Sequence, residues 1–157
     1  MYIQILYQQM NIEQIIKSTV PLALPKKTVI NLLYTNTIVK EELARYFKTY
    51  DLSMEQYNVL RILRGQKGKP ANMSTLQERM INKMSNTTRL VDKLITKELV
   101  TRATCENNRR KIEIVITEKG LELMAAMDNE ITQKEEQLTN GLTNKELETL
   151  NHLLNKI

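Results

Sequence analysis

Between Val100 and Thr117 the apolar residues change period. On either side they recur every three or four positions, the repeat of a helix with one buried face. Inside this window Ile112, Ile114 and Ile116 alternate, the repeat of a strand. Two strands, Val100 to Cys105 and Lys111 to Thr117, are therefore expected to form one hairpin, with residues 106–110 as the connection. Asn107 and Asn108 tolerate the left-handed backbone that a tight reversal uses. A single hairpin set among helices argues against a sandwich or a barrel. The scarcity of glycine and proline, four and three in 157 residues, points the same way.

The flanking periodicity predicts the helices. Ile12, Ile15 and Ile16 suggest a short one over residues 11–18, ended by Pro21 and Pro25. From Lys26 to about Tyr50 the residues Val29, Leu32, Leu33, Val39, Leu43 and Phe47 mark a long one. Ser53 with Gln56 forms a capping box for the next, which runs on Tyr57, Leu60 and Leu63 and stops near Gly65 to Pro70. Ser74 with Gln77, and then Ser85, are the cap candidates for two short helices joined by a tight turn near residues 82–84. Leu121, Met124, Met127, Ile131 and Leu138 resume a long helix after the hairpin. Thr143 with Glu146 opens a last one on Leu147, Leu150, Leu153, Leu154 and Ile157. Two short helices and a tight turn are a helix-turn-helix, and a hairpin directly after them is a wing.

Charge is concentrated on this stretch. Residues 61–111 hold thirteen Lys and Arg against four acids, a net of +9, whereas residues 1–60 net +1 and residues 112–157 net −5. A basic middle third that coincides with a winged helix-turn-helix is the footprint of a nucleic-acid reader. Other classes are disfavoured. One cysteine, Cys105, and one histidine, His152, leave no disulfide within the chain and no Cys/His metal cluster or catalytic triad. No glycine-rich phosphate cradle is present, so neither an enzyme nor a cofactor is expected. No run of 18 apolar residues occurs and the start lacks a signal-peptide pattern, which together suit a cytoplasmic protein.

The segment "TTRLVDKLITKELVTRATCENNRRKIEIVITEKG" resembles the recognition helix and wing of the MarR (multiple antibiotic resistance regulator) family. In that family the wing commonly reads D-R-R followed by V-x-L-T-x-x-G; here it stands as Asn108-Arg109-Arg110, then Ile114-Val115-Ile116-Thr117 and Gly120. Two departures are visible. Asn108 replaces the usual aspartate, removing a carboxylate that would brace an arginine. Glu98 stands where a glycine often ends the recognition helix. The expected fold is mainly α: a winged helix-turn-helix with a small β-hairpin wing and dimerisation helices at both chain ends. The expected division is 1–50, 51–117 and 118–157.

Roles on the recognition helix follow from its faces. Leu90, Val91, Leu94 and Ile95 point to the core, and Thr87 is open between core and groove. Asn86, Thr88 and Arg89 are candidates for base edges, with Ser85 and Lys93 for phosphate. Arg109 and Arg110 are the wing candidates for the minor groove, and alternation lets only one of them enter it. The resemblance also implies a homodimer on duplex DNA, built from residues 11–45 and 121–157, and a small organic effector. Tyr34, Tyr46, Phe47, Tyr50 and Tyr57 are candidates to line an effector pocket, with core packing as the plainer account of each. The rival to DNA binding is a helical winged-helix module that binds a protein partner.

Overall fold

The computed structural model describes residues 11–105 and 108–157, with side chains for 11–104 and 112–157. Seven helices occur among the described residues: α1 (Ile12–Ile15), α2 (Leu24–Thr49), α3 (Met54–Arg64), α4 (Met73–Arg79), α5 (Thr87–Thr96), α6 (Glu118–Thr139) and α7 (Asn144–Leu154). Strands β1 (Val100–Cys105) and β2 (Asn108–Ile116) pair antiparallel between α5 and α6. The hairpin thus stands where the change of period places it. Strand β2 starts three residues earlier than the apolar alternation indicates, because pairing continues to Cys105 opposite Asn108 after a register shift at Thr104.

The chain divides into two compact units, one of residues 44–133 and one that groups the described residues 11–43 with 134–157. The divisions fall inside α2 and α6 rather than at the expected boundaries of 50 and 117. The last turn of α2 and the first four turns of α6 carry core residues of the reading unit: Tyr46 and Phe47 from one, Met124, Met127 and Ile131 from the other.

Within residues 44–133 the core is Phe47, Leu60, Leu63, Leu76, Met80, Val91, Leu94, Val100, Ile114, Met124 and Met127, all at most 1–2% exposed. Each such side chain contributes about 1.5–3 kcal/mol relative to remaining in water. Three methionines in that set fill irregular space between helices and hairpin, as an unbranched thioether does well. A single bridge from Ala71 to Ile114 adds a third, one-residue edge to the sheet, with N–H···O distances of 2.9 and 2.8 Å. That bridge fixes the entry to α4.

The caps are partly those expected. Ser53 and Gln56 form the reciprocal box on α3, at 3.2 and 2.9 Å, and Thr143 with Glu146 does so on α7. Two caps move. Asn72, not Ser74, caps α4: its Oδ1 accepts from the Thr75 N–H at 2.8 Å, while the Ser74 hydroxyl donates to the same oxygen. Ala71 is held in the sheet bridge, so Asn72 is the first residue free to turn. Asn86, not Ser85, caps α5, accepting from the Arg89 N–H at 3.0 Å. The Ser85 hydroxyl is buried, away from the helix end it was expected to serve.

The junction that the T-x-x-G motif occupies is built from two caps back to back. Helix α5 ends in a left-handed residue, Glu98, at φ +61°. Its N–H donates to Ile95 O at 2.8 Å and that of Leu99 to Leu94 O at 3.0 Å, the Schellman pattern, with Leu94 and Leu99 both buried. Thr117 then caps α6. Its hydroxyl accepts from the Gly120 N–H at 3.0 Å and donates to Glu98 O at 2.8 Å. Glu98 spends conformational energy at this position because a Cβ disfavours the left-handed region. Its only described side-chain partner is Lys119 at 2.6 Å, an exposed pair that holds the Glu98 carboxyl below its usual range. Glu98→Gly is therefore expected to raise stability by about 0.5–1 kcal/mol, relief of strain outweighing a surface pair. Thermal denaturation checks this, and a lowered midpoint would show that the pair matters more than the strain.

In the other unit, α1 is closed by an Asn11–Gln14 box. Glu13 accepts from the Leu22 N–H at 2.7 Å and pairs with Lys27 at 2.8 Å, contacts that hold its carboxyl below the ordinary range. Pro25 sits in the first turn of α2, where its missing N–H is harmless, so the helix starts earlier than Lys26. Many apolar residues here remain exposed in the single chain. Leu24, Val29 and Leu33 on α2, and Leu150, Leu153 and Leu154 on α7, are all more than 40% exposed, and α7 has no buried residue.

Candidate nucleic-acid interface

Helix α5 is strongly two-faced. Val91 and Leu94 are buried, and Leu90 and Ile95 are half-buried. Thr87 belongs to the buried side, with its hydroxyl donating to Gln77 Oε1 on α4. This contact fixes the angle between the two helices of the helix-turn-helix. A further tie holds the turn itself: Gln77 Nε2 donates to Lys83 O at 2.6 Å.

The opposite face carries Asn86, Thr88, Arg89, Asp92 and Lys93, all exposed. Four of the five residues expected to meet DNA from this helix thus share one solvent face. Ser85 does not, since its hydroxyl is buried without a hydrogen-bond partner. Asn86 spends its oxygen on the cap and retains its NH2 as a donor.

The charges on this face are not evenly paired. Asp92 is an i+3 neighbour of Arg89, yet it pairs with Arg102 of β1. Lys97 pairs with Asp51 at 2.7 Å. Among the described residues, no carboxylate lies within pairing distance of Arg89 or Lys93. The Asp92–Arg102 tie is absent from a reading of the helix alone. It becomes visible only when β1 is laid alongside α5. It engages the one carboxylate that α5 itself carries on the reading face and fastens that helix to the wing.

The backbone of Arg109 and Arg110 lies in β2, on the half of the hairpin away from Ile116. Their side chains, and that of Cys105, lie outside the described residues.

The MarR family model matches residues 52–112, from the turn before α3 to the middle of β2. This stretch is a MarR-family domain. It contains every residue assigned above to DNA, and the protein is accordingly a DNA-binding transcription regulator of the winged-helix type. Solved structures extend the likeness to most of the chain. A MarR transcription factor from Planctomyces limnophilus is 28% identical, with 88% of this chain and 100% of that one aligned at a TM-score of 0.67. MarR from E. coli, solved as a cysteine-to-serine variant complexed with operator DNA, is 25% identical over 85% of this chain and 93% of that one, at 0.72. An organohalide-sensing transcriptional regulator in its 2,4-dichlorophenol-bound form shares the fold at 0.79, with 18% identity over 88% and 85%.

Three of the five aromatic candidates, Tyr46, Phe47 and Tyr50, lie just before the MarR domain, and Tyr57 lies within it. Tyr46 and Phe47 pack at 5.4 Å between ring centroids, Tyr46 and Tyr50 at 5.4 Å, and Phe47 stacks on Tyr57 at 4.5 Å. Tyr46 donates to Met127 O at 3.0 Å and Tyr50 to Glu130 at 3.0 Å. Burial raises both phenols above their ordinary range, and for Tyr50 the Glu130 carboxylate adds to this. The cluster is a packed, hydrogen-bonded joint between α2, α3 and α6. Tyr34 belongs to the other unit and is half-buried. Among the described residues no group of three metal-binding side chains occurs, and no helix is long and apolar enough to cross a membrane.

Proposed function

We propose that the protein is a homodimeric repressor that binds a pseudo-palindromic operator and is released by a small organic effector. The observation that carries the reading is the free cationic face of α5. Arg89 and Lys93 stand exposed beside Asn86 and Thr88, with Asp92 of the same helix drawn off to Arg102. Arg89, Asn86 and Thr88 are assigned to base edges in the major groove and Lys93 to phosphate. Arg109 and Arg110 are assigned to the wing, one of them entering the minor groove. Ser85 contributes through the backbone at the start of α5 rather than through its buried hydroxyl.

The exposed leucines of α2 and α7 support a homodimer, since apolar surface of this extent is what an obligate interface covers. Two-fold symmetry then sets half-sites about 10 base pairs apart. The effector is assigned to the aromatic region of Tyr46, Phe47, Tyr50 and Tyr57. The organohalide-sensing neighbour, solved with 2,4-dichlorophenol, is an instance of the fold holding an aromatic compound.

Salt dependence tests the central claim. If each dimer neutralises about six phosphates, affinity for duplex DNA should fall roughly 10³-fold between 50 and 200 mM salt. Fluorescence anisotropy with a labelled duplex library measures it. A flat response, or no duplex binding, favours the protein-partner reading of the same winged helix.

A further inference from the structure

On the reading unit, a second basic site opens at the start of α3. A pocket of about 420 Å³ is lined by Lys48 and Asp51 at the end of α2, Leu52, Ser53 and Gln56 at the start of α3, and Lys93 and Lys97 of α5. Three lysines from two separate elements line it. The one carboxylate, Asp51, is already paired with Lys97 at 2.7 Å. Lys48 and Lys93 have no carboxylate partner among the described residues.

Helix α3 contributes one side chain in particular. The capping box engages the N–H groups of Ser53 and Gln56. Gln56 itself is 5% exposed and lines the pocket. Its Oε1 is taken by the Ser53 N–H at 2.9 Å, so its other end, Nε2, is a buried donor without an acceptor. A buried donor left unpaired is costly, and the unpaired charges on the lining, Lys48 and Lys93, are cations. That combination excludes a metal ion and suits an oxyanion.

We propose that this pocket binds a phosphate or carboxylate group, held by Lys48, Lys93 and the Gln56 amide. Two sources share that chemistry: the anionic end of a free small molecule, and a backbone phosphate of DNA flanking the recognition site. The site is defined without reference to which sequence α5 reads.

An NMR titration of the full chain with inorganic phosphate, against sodium chloride at matched ionic strength, tests it. The Gln56 side-chain NH2 signals are expected to shift and saturate with phosphate and not with chloride. Gln56→Glu preserves the capping box, because a glutamate oxygen also accepts from Ser53, but it replaces the donor with a negative charge. It should weaken phosphate binding at least about tenfold. Lys48→Gln, outside the box, should weaken it about threefold or more. Phosphate shifts no larger than those of chloride, or unchanged affinity in both variants, overturn the proposal.

A duplex titration separates the sources. A Lys48→Gln salt slope reduced by about one identifies a backbone phosphate, and an unchanged slope identifies a free anion. Duplex binding without any phosphate response would remove this inference and leave the operator-binding reading in place.

Discussion

Gly120→Ala is expected to cost about 3 kcal/mol of stability and to lower the melting temperature by roughly 10 °C. A Cβ at this position would stand 2.4 Å from the carbonyl oxygen of Leu99 and 2.7 Å from Cγ1 of Ile116. The isoleucine can rotate aside. The carbonyl cannot, because it accepts the Thr117 N–H at 3.1 Å and so extends the β1–β2 ladder by one bond. The whole start of α6 would have to lift off the sheet, taking Met124 and Met127 with it. Gly141→Ala is the control: nothing lies within 4 Å of its Cβ, so its effect should stay within about 0.5 kcal/mol. Circular dichroism melts of the two variants decide it. Equal midpoints would mean that α6 does not approach the hairpin as closely as the structure has it.

That glycine illustrates what a sequence discloses and what it withholds. The V-x-L-T-x-x-G resemblance marks Gly120 as belonging to a pattern, while its reason, a helix pressed against a carbonyl 21 residues earlier in the chain, is purely tertiary. The hairpin was legible because period two is local and sits inside helical repeats. The reciprocal caps at Ser53 and Thr143 were legible for the same reason, since both partners lie three residues apart. The caps of α4 and α5 were not. Asn72 wins over Ser74 because Ala71 is tied to Ile114, and Asn86 wins over Ser85 because the serine hydroxyl turns inward. Thr87 could not be placed until Gln77 on α4 was seen to hold its hydroxyl. Pairing of charges escaped for the same reason. By spacing along the helix Asp92 is an ordinary neighbour of Arg89, and only the adjacent strand reveals that Arg102 claims it.

Arg89→Ala is expected to weaken binding to the preferred duplex by about 1–3 kcal/mol, ten- to a hundredfold or more, and to relax its sequence preference. The argument starts from position. Arg89 is the third residue of α5, its backbone held by the Asn86 cap, so its side chain leaves from the first turn of the helix that enters the groove. Among the described residues no carboxylate pairs with it, so a guanine edge or a phosphate meets an uncommitted guanidinium. Lys93, one turn on, shares that freedom but presents a single ammonium instead of a fork. Lys93→Ala should therefore lower affinity evenly across sequences and reduce the salt slope by about one. Both residues are exposed, so neither change should move the melting temperature appreciably. Comparing binding to a randomised duplex pool for the wild type and the two variants reads both effects together. If Arg89→Ala weakened every sequence equally, the guanidinium would be a phosphate contact and base reading would pass to Asn86 and Thr88. If it lowered stability instead, the free cationic face on which operator binding rests would be part of the fold.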